Sequence, residues 1–90
     1  FGHAGDGNLH STFMLDPNDE LALRRAMAAG DDLMEMAIEL GGTISGEHGV
    51  GLAKNGWLHK QWGTPASRAH EAIKQALDPK NLMNPGKKLT

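Results

Sequence analysis

The sequence predicts a mixed fold of α and β elements: one or two strands, then two main helices, then an irregular tail. Three observations carry this expectation. Leu9 to Leu15 alternates well enough for a strand, with Leu9, Ser11, Phe13 and Leu15 on one face and His10, Thr12 and Met14 on the other. Leu23, Ala26, Met27, Leu33, Met34, Ala37 and Ile38 recur at three- and four-residue steps, the spacing of a buried helical stripe. Thr64-Pro65 is an N-cap and first-turn pair that opens a second helix.

In chain order, the sequence begins at Phe1, already inside what reads as a strand. Gly5-Asp6-Gly7-Asn8 is a turn by composition, because Gly tolerates positive φ while Asp and Asn bond their own backbone. After the strand, Asp16-Pro17-Asn18 closes it and caps a helix expected from about Asp19 to Leu40, with Gly41-Gly42 past its end. Gly30 interrupts this helix at a cost of about 1 kcal/mol relative to Ala, so a kink or split is expected to be tolerated there. The methionines read as core filling rather than as metal ligands. Thr43-Ile44-Ser45 is a short extended piece, and Leu52 to Trp62 lies between loop and short helix. The second helix should reach about Leu77, with Ala66, Ala69, Ile73, Ala76 and Leu77 on its inner face. Asp78-Pro79-Lys80-Asn81 stops it, and residues 82–87 form the irregular close.

Ninety residues make one small domain or a piece of a larger one. A start on a strand, with a candidate ligand at the third residue, is expected of a C-terminal fragment of a longer protein. Such a fragment would expose a sheet edge, which invites pairing between copies. The apolar fraction of 39 %, with twelve glycines, argues against intrinsic disorder. A formal charge of −2 with both signs interspersed gives no basic footprint for nucleic acid. No hydrophobic run approaches the roughly 20 residues of a membrane span. Cysteine is absent, which removes disulfide and thiol chemistry and fits a cytoplasmic location.

The chemistry is concentrated in two glycine-rich segments: Gly2-His3-Ala4-Gly5-Asp6-Gly7-Asn8-Leu9-His10, and Ser45-Gly46-Glu47-His48-Gly49-Val50-Gly51. Two imidazoles, His3 and His10, and the Glu47 carboxylate form a ligand set that leaves a divalent metal open to substrate. On a continuous strand, the seven-residue step from His3 to His10 would put the rings on opposite faces; the glycine turn between them removes the conflict. Glu47 and His48 are adjacent, so their side chains diverge. A division of labour follows, with Glu47 on the metal and His48 facing the substrate as a base. Against this stand two histidines that are merely hydrogen-bonded and an acidic turn that is merely solvated.

Asp6 and Asn8 either orient the imidazoles or serve only the turn. Lys54 reads as a solvated cation, Trp57 and Trp62 as packing anchors, and His59 and His70 as exposed residues without partners. The helical His-Glu-x-x-His spacing of zinc peptidases is missing, as are a Gly-x-Ser-x-Gly elbow, a P-loop and a dinucleotide fingerprint. The alternative to an enzyme is a non-catalytic metal-binding or interaction module.

Together with Leu77-Asp78-Pro79 and Asn84-Pro85-Gly86-Lys87, these two segments resemble the C-terminal end of the FAD-linked oxidases, flavoenzymes related to vanillyl-alcohol oxidase. The resemblance spans nearly the whole chain and is nearest to glycolate oxidase flavin subunits and D-lactate dehydrogenases. It implies a portion, residues 1–90, of an α+β cap domain over a flavin held mainly by an upstream FAD-binding domain. It also implies oxidation of a D-2-hydroxy acid, of the glycolate or D-lactate class, to the 2-oxo acid. By position, His3, His10 and Glu47 would hold a divalent metal, zinc in the members that use one. His48 would be the base near the flavin, and Asn84 would lie near the flavin itself. Thr12 departs from the substrate-contacting Asn of the hydroxyglutarate enzymes, which argues against that substrate. The partners implied are the small hydroxy acid, the remainder of the chain and electron-acceptor subunits. Alone, the chain is expected neither to bind FAD firmly nor to turn over substrate.

Overall fold

The structure, a computed structural model, describes residues 1–88 and divides into two compact units, Phe1–Glu47 and a second beginning at His48. The order of elements is strand, strand, helix, a 3₁₀ turn and helix, so the α+β expectation holds.

The first unit opens with a small antiparallel hairpin, β1 (Gly2–His3) and β2 (Asn8–Leu9), in which Gly2 pairs with Leu9 and His3 with Asn8. The turn closes on the His3 carbonyl, which accepts from the Asp6 and Gly7 N–H groups. The Asp6 carboxylate then accepts the Asn8 N–H at 2.9 Å. Gly7 sits at φ 78°, a conformation that costs Gly little. The ladder continues one step past the strands, with the His10 N–H donating to the Phe1 carbonyl at 2.7 Å. The strand expected over Leu9–Leu15 is therefore realised only at its start. Residues 10–16 pair with no other strand among the described residues, and alternation alone cannot supply a ladder partner.

Helix α1 spans Glu20–Glu39, within a residue of the expected bounds. Asp19 is its N-cap and accepts the Ala22 N–H at 3.1 Å, satisfying one of the free donors of the first turn. At the other end the Gly41 N–H donates to the Ile38 carbonyl and the Gly42 N–H to the Ala37 carbonyl. With Gly41 at φ 78°, this is a complete Schellman close. The helix runs through Gly30 without interruption, so the tolerated kink is not used. Ala26, Leu33, Met34, Ala37 and Ile38 of the expected stripe are half-buried. Leu23 and Met27 are exposed, Met27 by 72 %, which corrects their assignment to the inner face. Ile44, in the short piece after the helix, is buried.

The second unit contains a 3₁₀ turn at Asn55–Trp57 that runs directly into α2, Leu58–Leu77. The stretch before Trp62, open between loop and short helix in the sequence, is thus helical from Asn55. Gly63 breaks α2 with non-helical angles (φ 73°, ψ 177°), and Pro65 follows in the first turn beyond the break, where its missing N–H is harmless. Two side-chain contacts brace this break. His59 Nδ1 and Ser67 Oγ lie 3.0 Å apart, and the Trp62 and His70 rings stack at 3.8 Å and 9°. His70 Nδ1 also donates to the Ala66 carbonyl. His59 and His70 therefore have partners, contrary to expectation.

The expected inner face of α2 is corrected as well. Ile73 and Leu77 are 60 % and 76 % exposed, and only Ala66 of that set is half-buried. The covered side instead carries Ser67, His70, Lys74 and Asp78. Apolar periodicity reports which face favours burial; here a ring stack and an ion pair anchor the neighbouring face. No helix among the described residues is long and apolar enough to cross a membrane.

Candidate metal centre

Hairpin register decides how His3 and His10 meet. His3 faces Asn8 across the ladder, and His10 lies two residues beyond Asn8, on the same side of the ribbon. The two histidines are thus diagonal cross-strand neighbours, within reach of each other's long side chains. Their rings meet edge to face, 5.6 Å apart at 78°. The apparent conflict of an odd spacing disappears because the turn folds the chain back on itself.

Glu47 ends the first unit and completes the cluster. His3 Nε2 lies 3.2 Å and His10 Nε2 3.0 Å from the same Glu47 oxygen, Oε1. One ligand atom from each residue lies within 4.8 Å of the others. Bond lengths of about 2.0–2.1 Å to a tetrahedral zinc separate its ligands by roughly 3.3 Å, so the donor set fits such an ion with little adjustment. The three side chains are 57 %, 32 % and 44 % exposed, leaving one side open to a further ligand.

Asn8 contributes something that its turn chemistry did not announce. A Cβ on Gly46 would overlap the Asn8 side-chain amide, and a Cβ on Gly2 would overlap the Asn8 carbonyl. Glycines on both sides of Asn8 thus permit the close approach that sets Glu47 over the hairpin. Asp6 takes the turn role of its two expected ones.

His48 follows Glu47 directly and opens the second unit. Asn84 lies in the closing loop of that unit, at φ 48°. The loop is bound to α2 through Asp78, which is buried. Its carboxylate accepts the Lys74 ammonium and the Leu82 and Met83 N–H groups, the last two at 2.9 Å. The Lys74 hydrogen bond, followed by those from the Leu82 and Met83 backbones, lowers the Asp78 pKa from 3.8 to about 2. The sequence had marked Asp78 as part of the helix stop and of the Leu77-Asp78-Pro79 resemblance, but not as the anchor of the closing loop.

With this geometry in view, comparison with known proteins gives a consistent class. The family described as "FAD linked oxidases, C-terminal domain" matches residues 1–88, and the chain belongs to it. It is 48 % identical over 87 residues to the glycolate oxidase subunit GlcD of Bacillus subtilis (strain 168), covering 97 % of this chain and 18 % of that protein. Identity is 44 % over 88 residues to a probable mitochondrial D-lactate dehydrogenase of Danio rerio, covering 98 % and 18 %. It is 40 % over 87 residues to the glycolate oxidase subunit GlcD of Escherichia coli (strain K12), covering 97 % and 17 %. The chain therefore spans less than a fifth of the length of the curated relatives it matches.

Proposed function

We propose that the chain is the substrate-activating part of a flavin-dependent oxidoreductase that converts a D-2-hydroxy acid of the glycolate or D-lactate class to the 2-oxo acid. The observation that carries this reading is the meeting of two imidazole nitrogens on one Glu47 oxygen. Ion pairs this exposed stabilise a protein by only about 0.2–1 kcal/mol each, so fold stability alone is a weak reason for the cluster. A divalent metal held by His3, His10 and Glu47 would supply Lewis acidity, lowering the pKa of a substrate hydroxyl bound at the open side. His48, next in the chain, takes the hydroxyl proton as general base. FAD would supply the redox chemistry, accepting the hydride from the substrate Cα. Asn84 is assigned to the flavin side of the site. The names of the relatives support both substrate classes and a complex with further subunits, to which electrons would pass.

The test uses the flavin-bearing protein. His48→Ala is expected to slow flavin reduction by D-lactate or glycolate by about 10²–10⁴-fold while flavin content stays parental. Glu47→Gln should lower the metal content measured by elemental analysis. Near-parental reduction by the His48 variant would remove the base assignment, and unchanged metal content in the Glu47 variant would remove the metal centre.

A further inference from the structure

The loop after α2 holds its shape without a core of its own. Residues 81–88 are all exposed, yet Asn81, Asn84 and Lys88 are fixed at positive φ, as is Gly86. What fixes them is polar. Asp78 is the one buried carboxylate among the described residues, and both of its oxygens are used. Oδ1 accepts the Leu82 N–H; Oδ2 accepts the Met83 N–H and the Lys74 ammonium. Lys74 also donates to the Met83 carbonyl, so the ammonium and the Asp78 carboxylate together hold the C=O and the N–H of Met83. The Asp78 backbone takes part too, donating to the Lys74 carbonyl and accepting the Asn81 N–H. Further along, Asn55 Nδ2 donates to the Gly86 carbonyl at 3.3 Å and the Lys87 N–H to the Asn84 carbonyl. Asn84 sits between the two anchors.

An ion pair that buries its carboxylate and half-buries its ammonium is a poor source of net stability compared with apolar packing, because charge must be desolvated to form it. Its use here is more consistent with fixing one conformation. A loop ordered before it meets its ligand loses less entropy on binding. We propose that Lys74 and Asp78 are positioning residues that pre-order the 82–87 loop so that Asn84 meets a flavin in the arrangement it already holds. This rests on the reading of Asn84 as a flavin contact. Neither Lys74 nor Asp78 touches the flavin; they act through the loop.

The test measures flavin affinity of the flavin-bearing protein by fluorescence of released FAD. Asp78→Ala, Asp78→Asn, Lys74→Met, Lys74→Arg and Asn84→Ala are compared with Lys80→Met, a charge change on the exposed part of the same segment. Asp78→Asn and Lys74→Met guard against a failure of Asp78→Ala to fold. Asp78→Ala and Lys74→Met are expected to weaken flavin binding about tenfold and to speed amide exchange at Leu82 and Met83, while Lys74→Arg restores much of both. Combining Asp78→Ala with Asn84→Ala should weaken binding no further than the stronger single change, since both act at one contact. Parental affinity in both Asp78→Ala and Lys74→Met, or full additivity with Asn84→Ala, overturns the positioning role. Parental affinity in Asn84→Ala, with the Asp78 and Lys74 variants weakened, overturns instead the contact assigned to Asn84 and leaves the loop's role supported.

Discussion

Gly46 and Asn8 show how residues without chemistry of their own can control the proposed ligand set. The Glu47 carboxylate reaches both imidazoles because the backbone at Gly46 comes close to the Asn8 amide. Gly46→Ala forces those groups apart. Overpacking of this kind costs about 1–3 kcal/mol, which corresponds to roughly a 5- to 150-fold loss of metal affinity if the strain falls on the site. Titration with zinc should show that loss, and Asn8→Ala combined with Gly46→Ala should recover part of it by vacating the space. Parental affinity in Gly46→Ala would show that the close approach is irrelevant to the proposed centre. His3, His10 and Glu47 could be picked out in the sequence as candidate ligands, since few other side chains bind divalent metals. Their convergence was not, because it depends on a hairpin register that only the size of the turn fixes. Asn8 was the least legible, because its contribution is where its amide sits rather than what it bonds.

Helix ends were read more accurately than helix faces. The Gly41-Gly42 close is local and appears where the sequence placed it, whereas the N-cap is Asp19, one residue past the Asp16-Pro17-Asn18 segment expected to cap the helix. Faces depend on what covers them, and the side of α2 bearing Ile73 and Leu77 is exposed while Lys74 and Asp78 anchor the next face. The same anchor makes a pH prediction. The Asp78 pKa is lowered from 3.8 to about 2 in the folded chain, chiefly by Lys74 and then by the Leu82 and Met83 N–H groups. A carboxylate depressed in this way contributes its full stability above the unfolded value and loses it as pH falls through the folded one. Denaturant unfolding followed by helical circular dichroism should therefore show Asp78→Asn less stable than the parent by a constant margin above pH 4. That margin should shrink between pH 4 and pH 2. A margin that ignores pH across this window would mean that the charge of Asp78 does not hold the end of α2.

At the scale of the whole molecule, the balance between covered and uncovered apolar surface is the informative quantity. Ile44 and Leu58 are the buried hydrophobic residues described, whereas Leu9, Met14 and Met27 in the first unit and Ile73, Leu77 and Leu82 in the second are exposed. The β1–β2 ribbon also has two outer edges with no further strand among the described residues. Unpaired strand edges and apolar patches both favour association. The 90-residue chain is therefore expected to self-associate, its light-scattering mass rising with concentration. A charged residue introduced at Leu77 should reduce that mass if the exposed face of α2 contributes, whereas Phe1→Lys should reduce it if the ribbon edge does. A strict monomer at high concentration would show that these surfaces need no cover.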